Sequence, residues 1–362
     1  MMGRRVLRLA LCCLFGTVSA TAQSNKEKAL LILQSVNQFL YEPASGLYIQ
    51  TSDRTMNHNS HADLWSVCGM IQATNELERI DNGKAYMKPV IHAINQYYDS
   101  QAPAPGYASY IVKEGREDRY YDDNQWIGIA YMDAYSRTRN KWYLTKGIEI
   151  YRFMMTGYDN VTGGGIYWKE NDKTTKNTRS NGPGILLAIQ LYEATHQKSY
   201  LDTAVSLYNW VNQYLHSADG LYWDAIKPAE NKRIDSALYA YNAGSMLQAS
   251  VKLYHLTKKN QYLKAAQQIA ESSYQHFFYR TKVKASYWFN AVLLRGFEAL
   301  YKTDLNLKYI NAMQEYADWV WERERDRSTN MVGVRPEKEL LGQAGMIEIY
   351  ARLAAMARKT VK

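Results

Sequence analysis

Residues 126–134, Trp126-Ile-Gly-Ile-Ala-Tyr-Met-Asp-Ala134, run into Tyr135-Ser-Arg-Thr138 and, past Arg139-Asn140, into Trp142-Tyr143-Leu144. The first segment is apolar on nearly every side. A helix with no polar stripe is buried all round. The short break after Thr138 and the new pattern that follows predict a helical hairpin. The same signature returns along the chain. Tyr192-Glu-Ala-Thr195 precedes Tyr200-Leu201 and Ala204; Tyr254-His-Leu-Thr257 precedes Tyr262-Leu263 and Ala265-Ala266; Tyr301-Lys-Thr303 precedes Tyr309-Ile310 and Ala312. Thr74 and Tyr86 form a weaker early copy. The second tyrosine recurs at 86, 143, 200, 262 and 309, a period of 47 to 62 residues that suits one long hairpin plus a loop.

Periodicity predicts twelve helices, at 25–41, 62–80, 84–100, 123–138, 141–156, 182–196, 199–215, 236–257, 261–277, 286–302, 306–323 and 338–357. Odd helices are amphipathic: Tyr262, Leu263, Ala266, Ile269 and Ala270 share a face, while Lys264, Gln267 and Glu271 point away. Even helices are apolar nearly all round, as in 185–191. The even helices therefore form an inner ring and the odd ones an outer ring. Gly69, Gly128, Gly244, Gly296, Gly342 and Gly345 lie in inner helices, where glycine costs on the order of 1 kcal/mol relative to alanine and close backbone approach offsets it. The expected fold is all-α, an (α/α)6 toroid or barrel of six helical hairpins. A superhelical solenoid of helix pairs is the alternative.

Loop length locates the site. Connections leaving the even helices are short (81–83, 139–140, 197–198, 258–260), and those entering them are long (42–61, 101–122, 157–181, 216–235). Long loops carry function, so one face, at the N-termini of the inner helices, carries the site. There lies Asp122-Asp123-Asn124-Gln125-Trp126. If Asp122 caps the fourth helix and Asp123 opens it, unpaired backbone N–H groups favour an anion there. Two like charges a few ångströms apart resist joint ionisation, so one carboxyl keeps its proton to higher pH. That is one anionic nucleophile and one protonated acid, the equipment of glycoside hydrolysis. The bland alternative is an ordinary N-cap beside a first-turn acid, against which stand Tyr120-Tyr121 before the pair and Trp126 after it.

Other residues of this face fit a sugar site. Trp65 and Trp126 could stack on a sugar or pack in the core. Trp168, Trp223 and Trp288 lie on or near the long loops. Asn124, Asn181, Asn242 and Asn290 open inner helices and could cap them or bind hydroxyls, as could Tyr241. Asp63 reads as a first-turn acid. His58 and His61 are not supported by any cysteine or carboxylate cluster, so no metal is expected, and Gly163-Gly164-Gly165 reads as a turn.

Composition agrees. Of 362 residues 46% are apolar, and Tyr (31) and Trp (9) outweigh Phe (7), a skew toward aromatics with a polar handle. Arg4 and Arg5, the apolar run 6–18 and Ala20-Thr21-Ala22 read as a signal peptide over 1–22, too short to span a bilayer comfortably. The mature chain, 23–362, is expected to be one catalytic domain. Cleavage removes Cys12 and Cys13 and leaves only Cys68, so no internal disulfide forms. It also removes Arg4, Arg5 and Arg8, and the remaining basic residues are scattered, which argues against nucleic acid. Export in soluble form is expected, to the periplasm or else the cell surface.

Tyr121-Asp-Asp-Asn-Gln-Trp126, opening an apolar helix, resembles the signature of glycoside hydrolase family 76. Ser180-Asn181-Gly182-Pro183 resembles a Ser-Asn motif of that family, and Tyr239-Ala-Tyr241-Asn242-Ala-Gly244 its Tyr-Asn-x-Gly motif. The resemblance covers most of the mature chain. It implies an (α/α)6-barrel endo-α-1,6-mannosidase without a cofactor, acting on α-mannan or manno-oligosaccharides with retention of configuration. By resemblance Asp122 is the nucleophile and Asp123 the general acid/base; Trp65, Asn124, Gln125, Trp126, Asn181, Tyr241, Asn242 and Trp288, at the same mouth, are expected around the substrate. Tyr287-Trp288-Phe289-Asn290 departs from the aromatic and cationic motif that many relatives carry before the tenth helix. The competing functions are a sugar epimerase on the same toroid, which needs inner-helix histidines, and a non-catalytic glycan-binding protein.

Overall fold

Twelve helices run close to the positions that periodicity predicts. They are α1 (Asn25–Phe39), α2 (Leu64–Ile80), α3 (Met87–Ile94), α4 (Tyr121–Thr138), α5 (Lys141–Thr156), α6 (Thr178–Thr195), α7 (Lys198–Tyr214), α8 (Ala240–Thr257), α9 (Asn260–Ser273), α10 (Tyr287–Asp304), α11 (Lys308–Arg323) and α12 (Leu340–Thr360). A further helical turn lies at Val112–Gly115. The computed structural model describes residues 23–115, 117–278 and 286–360. The expected signal peptide, with Cys12 and Cys13, lies outside the described residues.

The even helices touch in the closed order α2, α4, α6, α8, α10, α12 and back to α2, and the odd helices pack on them from outside. This is the (α/α)6 barrel, with the inner ring as its core. Residues such as Ile127, Ile185, Leu187, Leu247, Leu293 and Ile347 are fully buried, and each such side chain contributes roughly 1.5–3 kcal/mol. Among the described residues no helix is long and apolar enough to cross a membrane.

The repeated tyrosines and threonines have a local cause. Arg139, His196, Lys258 and Leu305 end four inner helices in the left-handed region, at φ of 57–60°. Their N–H groups donate to the carbonyls of Tyr135, Tyr192, Tyr254 and Tyr301, four residues back. Thr138, Thr195 and Thr257 donate their hydroxyls to the carbonyls of Ala134, Leu191 and Leu253. The repeat is thus a helix stop with a tight reversal, which is why loops on that face are short.

Close approach explains the inner glycines at one seam above all. A Cβ on Gly244 would lie 2.6–2.7 Å from backbone atoms of Val292 and Leu293 on α10. Backbone cannot step aside as a side-chain tip can. Gly244→Ala is therefore expected to cost about 1–3 kcal/mol through overpacking, measurable as a lower denaturant midpoint.

Three regions differ from expectation. Helix α3 stops at Ile94, followed by a 3-10 turn, because residues 98–99 and 106–107 pair instead. The short strands are β1 (Tyr41–Glu42) with β2 (Leu47–Tyr48), and β3 (Tyr98–Asp99) with β4 (Gly106–Tyr107). The connections 157–181 and 216–235 are not irregular. They supply β5 (Tyr167–Lys169), β6 (Asp172–Asn177), β7 (Trp223–Lys227) and β8 (Arg233–Leu238), an antiparallel sheet in that order. Consequently α6 begins at Thr178, four residues earlier than expected, and α8 only at Ala240. The sheet lies at the N-terminal face of the barrel, where β6 feeds α6 and β8 feeds α8.

Candidate active site

The N-terminal face opens into a cavity of about 470 Å3. Its lining follows a positional rule. The second residue of five inner helices faces it: Trp65 of α2, Asp122 of α4, Arg179 of α6, Tyr241 of α8 and Trp288 of α10. The third residue joins at Asp123 and Phe289. A ring of converging helices aims the same turn position at its axis, so five helix starts far apart in the chain deliver one site.

Asp122 and Asp123 are thus both first-turn residues. The cap position is held by Tyr120, not by Asp122 as expected, and its side chain makes no cap bond. Burial pushes the Asp122 carboxyl up to about 6, opposed first by the Arg179 guanidinium and then by the N–H groups of residues 122 and 123. Burial also pushes Asp123 well above the ordinary carboxylate range, and the Asp122 and Asp63 charges push it further. The two acids are therefore unequal: Asp122 ionises first, and Asp123 holds its proton. Oδ1 of Asp122 is buried and has no hydrogen-bond partner among the described residues.

Aromatic side chains wall the cavity on both sides of the pair. On one side Trp65 (41% exposed) and Tyr239 (37% exposed) stand at the rim. Phe289 lies between them, 6.3 Å from the Trp65 ring and 4.3 Å from that of Tyr241. On the other side Trp168 of β5 packs on Tyr120 at 5.0 Å, and the Arg179 guanidinium lies 4.5 Å over Trp168. The floor is Trp126 edge-on to Trp288, centroids 5.2 Å apart. The Trp288 indole N–H donates to Gln72, and Gln72 in turn donates to the Trp126 carbonyl. His58, Asn59, Asp63, Ser109 and Glu117 complete the lining.

Four residues expected at the substrate do not reach the cavity. Asn124, the fourth residue of α4, is fully buried. Its Oδ1 accepts from Tyr107 N–H at 2.7 Å, and its Nδ2 donates to the Tyr107 and Tyr120 carbonyls. Asn181, fourth in α6, clamps Ile166 in the same way. Gln343, fourth in α12, clamps Val332. Two turn positions on, a side chain points away from the axis, so these amides close a strand edge. Gln125 is fully buried and outside the cavity lining, as is Asn242, whose Nδ2 donates to Asp224 at 3.1 Å. Trp223 is likewise absent from the lining. Trp65, Trp126, Tyr241 and Trp288 do line the cavity, as do Asp122 and Asp123.

Two functional candidates escaped the sequence reading. Arg179 donates to Asp224 at 2.8 Å, and both lie beside the Asp pair. Asp224 sits on β7, a strand read as loop. Aligning the second residue of each inner helix would have exposed Arg179, but that needs the helix start at 178 and not at 182.

Comparison with known proteins points one way. The sequence profile of glycosyl hydrolase family 76 matches residues 24–361. The mannan endo-1,6-alpha-mannosidase DCW1 of Candida glabrata is 30% identical over 153 residues, 38% of this chain and 34% of that protein. The chain thus spans about a third to a half of the length of the curated relatives it matches. A family 76 glycoside hydrolase from a bovine Bacteroides thetaiotaomicron strain superposes with a TM-score of 0.85 at 26% identity, over 93% of this chain and 78% of the other. A family 76 mannosidase from another strain of that species gives 0.85 at 25% identity, over 93% and 99%. With the profile spanning nearly all of the described residues and the Asp pair seated at the barrel mouth, the chain belongs to glycosyl hydrolase family 76.

Proposed function

We propose that this protein hydrolyses α-1,6-mannosidic bonds within α-mannan by a retaining double displacement, after export through its N-terminal leader. The observation that carries this reading is the pair of adjacent carboxyls in one aromatic-walled cavity. In the first step the Asp122 carboxylate attacks C1 of the mannosyl unit. The bond from C1 to the leaving oxygen breaks, and Asp123 gives that oxygen its proton. The product is a mannosyl ester on Asp122. In the second step water attacks C1, Asp123 takes the water's proton, and the ester bond to Asp122 breaks. Both acids return to their starting state.

Support for the substrate comes from the relatives, one named as acting on mannan 1,6-α-bonds. Support for internal cleavage comes from the two aromatic walls, Trp65 with Tyr239 and Phe289 on one side and Tyr120 with Trp168 on the other. Sugar faces stack on such rings, and rings on both sides of the acids can hold residues on both sides of the bond. Linear α-1,6-mannan incubated with the protein should yield oligosaccharides of intermediate length early, with NMR detecting the α-anomer first. Mannose alone would mean chain-end cleavage, and a β-anomer first would mean inversion. Absence of any product, with tight binding by calorimetry, would favour a glycan-binding protein. The epimerase alternative needs an inner-helix imidazole at the pair, whereas the cavity's histidine is His58, in the connection 42–61.

The acids also set a pH profile. Activity requires Asp122 ionised and Asp123 protonated. kcat/KM should therefore rise with pH through about 6, as the buried Asp122 loses its proton, and fall again where Asp123 loses its own. A profile rising at pH 4, where an exposed carboxylate titrates, would contradict this assignment.

A further inference from the structure

Helix α4 has two neighbours in the inner ring, α2 and α6. Each delivers one charged side chain to the cavity from its own first turn or cap: Asp63 from the residue before α2, and Arg179 from the second residue of α6. The paired acids therefore stand between an anion on one side and a cation on the other.

The placement of Asp63 is not that of a helix cap. It occupies the N-cap of α2 yet its carboxyl accepts no first-turn N–H, forgoing a contact worth typically about 1 kcal/mol. The carboxyl instead lines the cavity with His58, Asn59 and Glu117. The backbone of Asp123 packs on α2, its carbonyl accepting from Cys68 Sγ at 3.3 Å. Arg179 is held from behind, by Asp224 at 2.8 Å and by the Trp168 face, so its charge stays at the α6 side.

We infer that Asp63 and Arg179 are positioning residues that split the protonation of the adjacent acids, Asp63 keeping Asp123 protonated and Arg179 keeping Asp122 ionised. This rests on the reading of Asp122 as nucleophile and Asp123 as acid/base. A like charge disfavours ionisation and an opposite charge favours it, so neighbours of opposite sign on opposite sides separate two otherwise identical side chains. The groups facing the pair agree. At Asp122, Arg179 is the foremost influence against the rise that burial causes, and Asp224 of β7 adds to that rise. At Asp123, Asp122 and Asp63 both add to the rise, and Arg179, the smallest of the influences, opposes it. Asp63 is solvent-exposed at the cavity mouth; partial desolvation there and Glu117 raise its carboxyl, and Asn59 and His58 lower it. The Cys68 thiol and the phenols of Tyr120 and Tyr241 are pushed up and stay neutral.

The test follows the carboxyl carbons of Asp122 and Asp123 by 13C NMR across pH, in the full chain without substrate, and adds pH profiles of kcat/KM on an α-1,6-manno-oligosaccharide. Asp63→Asn should lower the Asp123 titration midpoint by roughly half a pH unit or more, about threefold in proton affinity, and move the alkaline limb down while leaving the acid limb. Arg179→Gln should raise the Asp122 midpoint by a similar amount and move the acid limb up. Asp63→Glu and Arg179→Lys, which keep the charge, should retain both midpoints. Unchanged midpoints in a folded Asp63→Asn protein, or a fall in kcat/KM with both limbs in place, would overturn the inference in favour of a purely structural or substrate-contacting role. Should Arg179→Gln not fold with Asp224 left unpaired, Asp63→Asn still decides. A wild-type protein that releases no product from the oligosaccharide counts against the proposed function, whereas the NMR midpoints judge the charge split independently.

Discussion

Asp122→Asn is expected to lose α-1,6-mannan hydrolysis by on the order of 10,000-fold or more, the scale on which single members of a catalytic unit fail. An amide cannot form the glycosyl ester, so the defect persists with any leaving group. Asp123→Asn should lose about 100- to 10,000-fold on mannan, as removal of a general acid does. It should lose far less on an aryl mannoside, whose leaving group departs without a proton. That contrast separates the two roles, and identical losses on both substrates would contradict it. Both variants should also fold more stably than wild type at pH 8. The sign follows from the raised carboxyl pKa of each acid: ionisation in the folded state is unfavourable, so the wild-type contribution is greatest at low pH and declines as pH rises through the folded pKa. Asparagine never incurs that cost. Wild-type activity in both variants would end the proposed mechanism.

Glu348→Leu is expected to be the most destabilising single change away from the site, at about 3–5 kcal/mol, read as a lower midpoint in urea. Below the Trp126–Trp288 floor the barrel axis is filled by charge. Glu348 is fully buried and accepts from Arg295 Nε and NH2 at 2.6 and 2.7 Å and from Arg352 Nε at 2.7 Å. Arg352 also pairs with Glu76 at 2.9 Å and Glu298 at 2.8 Å. Removing Glu348 leaves two buried guanidiniums short of counter-charge. The same network touches the site, because Arg295 and Trp288 both donate to Gln72 Oε1. It also carries a pH signature. Arg295 and Arg352 hold the Glu348 carboxyl below its ordinary value against the effect of burial. A depressed carboxylate stabilises the fold above its unfolded pKa and loses that contribution as pH falls through the folded one. Wild type should therefore weaken progressively below about pH 4, and Glu348→Leu should lose part of that dependence.

Much of the barrel was legible because its rules are local. Inner and outer helices differ in how many faces are apolar, and the Tyr-x-x-Thr stops sit where the carbonyls of Tyr135, Tyr192 and Tyr254 receive the cap bonds. The sheet was not legible as such. Its strands are short, and Lys173-Thr-Thr-Lys176 is polar on both faces, so alternation is faint. The turn at Asn171 and the pair Asn231-Lys232, all at positive φ, were the available signals. Missing the sheet hid Asp224 and misplaced the start of α6, and with it Arg179.

The amino-acid pattern by itself determined the all-α barrel, the face that carries the site and the acid pair at its mouth, since each depends on periodicity, loop length and residues adjacent in the chain. Tertiary structure alone decided which amides serve the backbone and which side chains line the cavity. A difference of one or two positions in the first helical turn rotates a side chain from the barrel axis to a strand edge. Asp123 and Asn124 are neighbours in sequence, yet one faces the cavity and the other clamps Tyr107, because 100° of helical rotation lies between them.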